Sequence, residues 1–286
     1  MLKLNDALSA VPVVLPEYEQ LNLYLVGCGG TGSWLAPSLV RMVRLLQEND
    51  RSVSLTLIDF DTVEAGNIPR QNFIDADLGL NKAEVLALRY GAAWGIEIGV
   101  ITQPFEPEQI TTGYKTLSVI IGAVDRASAR QQIAQLFEQS RSHFRDQRCW
   151  WIDCGNAETS GQVLIGSTAR RGELENGFAY TGTKKNRKPL FCRALPAPHI
   201  QHPELLKPQP HELSEQPQSC REMVLSNRQS LFINQRVATE AAALINDLLL
   251  GQSLKIFAAY FDVQAHSASV SYISKEASLR CFDHSL

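Results

Sequence analysis

The chain has 286 residues, 44% hydrophobic and 20% charged, enough to bury one large core or a core with a small appendage. A formal net charge of −3 gives no electrostatic ground for a nucleic-acid or anionic-membrane partner. Charge interrupts Met1-Leu2-Lys3-Leu4-Asn5-Asp6 too early for a signal peptide, no apolar run reaches membrane-spanning length, and six cysteines without a CxxC pair fit neither a disulfide framework nor a zinc ribbon, so a cytoplasmic setting is expected.

In chain order, apolar runs predict strands at Leu21–Val26, Val53–Ile58, Ile96–Thr102, Leu117–Val124 and Cys149–Asp153. Between them Thr31–Gln47, Asn81–Trp94 and Ala127–Gln139 carry apolar residues at three- and four-residue spacing, as helices do. Pro37 inside the first of these predicts a late start or a kink. Strand–helix alternation with nearly unbroken apolar strands implies a parallel sheet covered on both faces. After Asp153 a short strand, Gln162–Gly166, leads into some fifty residues of little periodicity. This stretch holds the basic run 184–188 and seven prolines from Pro189 to Pro217, which predict an extended connection. A long helix is expected from about Met223 to Leu250, stopped by Gly251, followed by paired strands Lys255–Asp262 and Ala268–Ser274. The fold expected is α/β and Rossmann-like, mostly parallel, with antiparallel strands at the C-terminal end and a long Pro-rich crossover. We read 1–286 as one domain: a nucleotide-binding half at 21–153, the crossover at 167–219, and the long helix with terminal strands at 220–286.

The sharpest local signal is Gly27-Cys28-Gly29-Gly30-Thr31-Gly32, directly after the first strand. Small residues there let backbone N–H groups approach a phosphate, and the next helix points its positive end at the same anion. Asp59 at the end of the second strand suits a ribose hydroxyl pair. Downstream stand Asn67, Arg70, Gln71 and Lys82, on and after a loop (Phe60 to Asn72) that is long for this architecture. Two cations and an amide are more than a dinucleotide pyrophosphate needs, and they suit a triphosphate.

The ordered set of that glycine loop, Leu57-Ile58-Asp59-Phe60-Asp61, Gly66-Asn67-Ile68-Pro69-Arg70-Gln71, Lys82 and Asp125 resembles the ThiF/MoeB superfamily, bacterial relatives of the ubiquitin-activating enzymes. Ser219-Cys220-Arg221-Glu222-Met223 looks most like the ThiF-type proteins of bacterial PRTRC gene systems. The resemblance implies ATP-dependent adenylation of the C-terminal carboxylate of a small ubiquitin-like or sulfur-carrier protein, with a conjugating-enzyme-like protein as a further partner. It also implies a homodimer. Gly27, Gly29, Gly30 and Gly32 would line the phosphates; Arg70, a planar fork, would take the β- and γ-phosphates, with Asn67 and Gln71 beside it. Lys82 would meet the α-phosphate, and Asp125 would hold Mg2+, which prefers hard oxygen ligands. Cys220 matches the position of the thiol that takes an activated acyl group, where Arg221 and a helix start would lower its pKa.

Other readings stand beside these. Arg70 and Lys82 also fit surface charges, Asp59 and Asp125 fit helix caps, Asp61 fits a loop hydrogen-bonder, and Asp153 fits either a strand-end cap or a positioner of the incoming tail. Cys28, Cys149 and Cys154 read as small or core residues, and Cys220 also reads as a structural cysteine. Cys192, His199, His202, His211 and Cys220 match no closed zinc spacing. Residues 1 to 40 lack the arginine that some homodimeric relatives place in the partner's site. The functional alternatives are adenylation of a small-molecule, peptide or tRNA-linked carboxylate, a non-catalytic nucleotide-binding scaffold, and an NAD-dependent dehydrogenase.

Overall fold

The computed structural model describes residues 4–111, 113–138, 148–182, 188–208, 212, 232–251 and 253–283. Ten strands are described: β1 Gln20–Val26, β2 Ser52–Ile58, β3 Gly99–Ile101, β4 Thr116–Gly122, β5 Cys149–Asn156, β6 Ser160–Gly166, β7 Phe178–Thr181, β8 Lys188–Cys192, β9 Ile256–Asp262 and β10 Ser267–Tyr272. The helices are α1 Leu4–Ser9, α2 Gly30–Glu48, α3 Lys82–Trp94, α4 Ala127–Glu138, α5 Arg171–Gly177, α6 Pro198–Gln201, α7 Ile233–Leu249 and α8 Lys275–Arg280.

Eight strands form one sheet in the order β10-β9-β6-β5-β4-β1-β2-β3, and β7 and β8 pair separately. From β3 to β5 the pairing is parallel; β6, β9 and β10 join antiparallel. Alternation in the strands divides the core. Leu23 and Leu25 of β1 with Trp150 and Ile152 of β5 pack with residues of α2, α3 and α7. Tyr24 and Val26 with Cys149 and Trp151 pack with α4 and Ala197, just before α6. At β1, β4 and β5 both faces are therefore dry, which is why these strands read as continuous apolar runs, whereas β2 alternates, with Ser52 and Ser54 exposed.

The expected elements form, with shifts that have local causes. The third strand shrinks from Ile96–Thr102 to Gly99–Ile101, because the preceding helix ends with Gly95 in the left-handed region (φ +63°) and Ile96 turns into the core. Pro37 does not interrupt α2. Proline there leaves the Ser33 carbonyl without its helical donor, and the Asn72 carboxamide donates to that oxygen at 3.3 Å. In its described residues the crossover is more ordered than its periodicity implies. It contains α5, the β7–β8 hairpin and α6. Its order comes from distant chain: Val13 bridges Cys192, and Cys192 N–H donates to the Pro12 carbonyl at 2.9 Å. The long helix α7 is described from Ile233; its expected earlier start, from Met223, lies outside the described residues.

Candidate functional site

The strand order reverses between β1 and β4, neighbours in space whose following helices, α2 and α4, lie on opposite faces of the sheet. In open α/β sheets this reversal opens a crevice at the carboxyl ends of the strands, where ligands bind. The glycine loop follows β1 and Asp125 follows β4, so both stand at that crevice. Gly27 adopts φ +90°, and a Cβ there would lie 2.6 Å from the Ala123 carbonyl oxygen. A Cβ on Gly32 would lie 1.9 Å from the Gly27 carbonyl oxygen, so only glycine lets α2 start this close to β1.

Asp59 organises the loop from beneath. Its carboxylate accepts the Cys28 N–H at 2.6 Å and the Asp61 N–H at 2.8 Å. Burial pushes this carboxyl up, and the two N–H donors and Lys82 pull the other way. It caps no helix; the N-cap of α3 is Asn81, whose carboxamide also donates to the Asp59 carbonyl at 2.9 Å. Lys82, first residue of α3, is 6% exposed. An ammonium at a helix N-terminus opposes the macrodipole. Asp61, 3.0 Å from Lys82 Nζ, offsets that cost.

The loop ahead of α3 is built on Asn67. Its side-chain oxygen accepts the Glu64 N–H at 2.9 Å, and its carbonyl accepts those of Arg70 (3.0 Å) and Gln71 (2.8 Å). These turns bury Arg70 and Gln71 against α2: the Trp34 indole donates to the Arg70 carbonyl at 3.1 Å, and the Gln71 amide nitrogen stands 3.7 Å from where a Cβ on Gly29 would be. Asp125 is exposed just past β4. Among the described residues no group of three His, Cys, Asp or Glu side chains is placed to hold a metal. A magnesium ion needs only one or two carboxylates when substrate phosphates complete its shell, so Asp125 fits such an ion.

The expected site residues on the glycine loop, at Asp59, on the Asn67–Gln71 loop, at Lys82 and at Asp125 thus meet around one crevice. Cys220 lies outside the described residues. The chain on either side of it is informative. Glu212 accepts the Ala127 N–H at the start of α4 at 2.9 Å, beside Asp125. Asn234, near the start of α7, reaches Thr31 of the glycine loop at 3.4 Å. Burial pushes the other five thiols up, Cys281 to about 11 and Cys192 to about 12, so none is poised as a thiolate.

Residues 16–194 match the ThiF family. The chain belongs to the ThiF family. A crystal structure of PaaA superposes with a TM-score of 0.54 at 16% identity, covering 89% of this chain and 64% of that one. The crystal structure of E. coli MccB with AMPCPP and MccA gives 0.53 at 14% identity, covering 88% and 64%. E. coli MccB with ATP gives 0.53 at 14%, covering 90% and 65%. At such identities the likeness is one of fold, and the chain spans about 64% of the length of these structures. No curated protein matches it.

Sequence reasoning passed over three groups in this ThiF-family site. Arg130 of α4 holds Asp153 of β5, Nε to Oδ1 2.9 Å, with Asp153 fully buried. Asn72 supports α2 beside the glycine loop, and Asn234 of α7 reaches into it. Each partnership joins residues remote in sequence, and no spacing signals it. The candidate strand-end cap Asp153 is instead an ion-paired core residue.

Proposed function

We propose that the protein is an ATP-dependent adenylating enzyme of the ubiquitin-activating type, a single adenylation domain over residues 1–286. Its substrate is the C-terminal carboxylate of a small ubiquitin-like or sulfur-carrier protein. One observation carries this reading: at the crevice beyond β1 and β4 a glycine loop stands beside buried Lys82 and the loop that carries buried Arg70. That charge and backbone chemistry suits a triphosphate. The E. coli MccB structures with ATP and with AMPCPP and MccA support the nucleotide by analogy.

In the reaction a substrate carboxylate oxygen attacks the α-phosphorus, a P–O bond forms, and pyrophosphate leaves with the electrons of the broken P–O bond. Loop N–H groups and Lys82 meet the charge that builds on the α-phosphate, and Arg70 takes the departing pyrophosphate, with Asn67 and Gln71 shaping its loop. Asp59 already accepts two backbone N–H groups, and its second lone pairs suit ribose hydroxyls. Asp125 would hold Mg2+, which when bound neutralises phosphate charge. The Cys220 thiolate then attacks the acyl carbon of the adenylate, a C–S bond forms and AMP leaves with the electrons of the broken C–O bond. The thioester passes to a conjugating-enzyme-like protein, and the chain acts as a homodimer.

The test is exchange of labelled pyrophosphate into ATP by the full chain with magnesium and candidate carriers. Arg70→Ala and Asp125→Ala should each lower exchange about a hundredfold or more. Cys220→Ala should spare exchange and abolish a carrier adduct released by reductant. Thermal stabilisation by NAD but not ATP would favour the dehydrogenase. ATP binding without exchange for any carrier would favour the scaffold.

A further inference from the structure

One buried carboxamide joins pieces of chain that are far apart in sequence. Asn234, in the first turn of α7, is 2% exposed. Its Oδ1 accepts the Thr31 hydroxyl at 3.4 Å and the Asn156 amide, and its Nδ2 reaches the Arg70 carbonyl at 3.5 Å. It thus touches the first turn of α2, the loop that carries Arg70, and the end of β5. It also occupies the space beside Gly30, where a Cβ would stand 2.7 Å from Oδ1 and 3.0 Å from Nδ2. Trp34 grips the same Arg70 carbonyl at 3.1 Å.

The chemistry of the position calls for a carboxamide. Oδ1 must accept while Nδ2 donates on one rigid plane, which leucine of similar volume cannot do and aspartate does only by losing the donor. What the side chain holds are the parts whose placement sets phosphate affinity. Site groups must sit within about 0.5 Å of their working positions, and that precision comes from the side chains behind them.

We propose that Asn234 is a positioning residue that locks the phosphate-facing turn of α2 to the Arg70 loop, and that it links nucleotide occupancy to order at the start of α7. The proposal rests on the nucleotide reading above and adds a regulated element to it. If the first turn of α7 steadies the glycine loop, a nucleotide on that loop steadies the first turn of α7 by the same factor, because coupling between two sites is reciprocal.

The test uses the full chain and α,β-methylene ATP with magnesium, with affinity read by calorimetry and backbone hydrogen exchange read over residues 233–237. In the parent the analogue should bind and slow exchange there. Asn234→Leu should weaken binding about tenfold and remove the protection at 233–237, while the analogue still protects the glycine loop. Asn234→Ser, which keeps one donor and acceptor, should fall between. Should Asn234→Leu fail to fold, the Gly30→Ala pair replaces it: Gly30→Ala drives a methyl into Asn234, and adding Asn234→Ala should restore part of the lost affinity. Unchanged affinity in Asn234→Leu, unchanged exchange at 233–237 in the parent, or strict additivity of the Gly30 and Asn234 changes would each overturn the linkage. A parent that does not bind the analogue at all would sink the nucleotide reading first, and this proposal with it.

Discussion

On the sheet face covered by α2, α3 and α7, several buried polar groups at the crevice are committed, Asp59 to two backbone N–H groups, Lys82 to Asp61, Asn234 to Thr31 and Asn156, while Gln71 Oε1 has no hydrogen-bond partner among the described residues. The opposite face, under α4 and α6, is different. There the Trp151 indole nitrogen, Asp153 Oδ2 and both ring nitrogens of His199 are buried without a hydrogen-bond partner among the described residues. The His199 ring stacks on Trp151 at 5.7 Å, and its nearest charge, Glu138, is 3.8 Å away and largely exposed. A satisfied polar network fixes one geometry, whereas an unsatisfied buried group costs roughly 1–3 kcal/mol. The contrast assigns the larger satisfied network to the first face and the larger set of unsatisfied groups to the second.

The strongest way to break the contrast is on the organised face. Gly32→Ala forces a methyl to within 1.9 Å of the Gly27 carbonyl oxygen. We expect a loss of about 4 kcal/mol or more in urea unfolding, together with loss of ATP-induced stabilisation. A variant as stable as the parent would show that the loop is soft. Next comes Arg130→Leu, which strips the buried Asp153 of its cation. About 3–5 kcal/mol should disappear, and much of it should return in Arg130→Leu/Asp153→Leu, where no charge is left behind. Equal losses in single and double variants would mean the pair matters only for packing.

The third prediction sharpens the second face through pH. Burial holds the His199 imidazole down at about 4, against an ordinary 6.5. Between those values the unfolded chain takes a proton that the folded chain refuses, so stability contributed by the neutral ring is lost as pH falls from 6.5 towards 4. The span amounts to roughly 3 kcal/mol at its limit. Asp153 and Asp59, pushed up by burial, act in the opposite sense as pH rises, so the difference between variant and parent is the quantity to read. His199→Phe keeps the stack on Trp151. It should stabilise by about 1 kcal/mol at pH 7.5 and by clearly more at pH 5. An identical gain at both pH values would remove His199 as the source of acid sensitivity. The smallest effect is expected at Asn72→Ala, which orphans the Ser33 carbonyl opposite Pro37: about 1 kcal/mol by denaturation. That loss should shrink in a Pro37→Ala background, where the helix supplies its own donor and only the Asn72 bond to the Tyr90 hydroxyl is missing.

Much of the parallel half was legible because its central strands β1, β4 and β5 are dry on both faces and its turns are local. The run Leu21–Val26 followed by four glycines in six residues encodes strand, tight turn and helix start within a dozen positions. The crossover was less legible. Its hairpin is held by residues 12–14 and its α6 by stacking and packing against β5 and β6, contacts that leave no periodicity within the segment. Within the site, Asp59, Arg70 and Lys82 were visible as charges after strands and on a long loop. What they do at rest was not: Asp59 holds the glycine loop and Lys82 answers Asp61.

By itself the sequence determined the element order of the parallel half, the parallel sheet, the glycine turn and the set of charges at its mouth, because each depends on propensity and pattern over a few neighbouring residues. Tertiary structure alone decided that Asn234 closes on Thr31, that Arg130 finds Asp153, and that His199 is buried over Trp151 without a hydrogen-bond partner among the described residues. Those pairings span up to 203 residues and depend on which faces meet when the two helical layers close on the sheet. Only the packed core sets that geometry, through close-packed volumes that no short stretch of chain encodes.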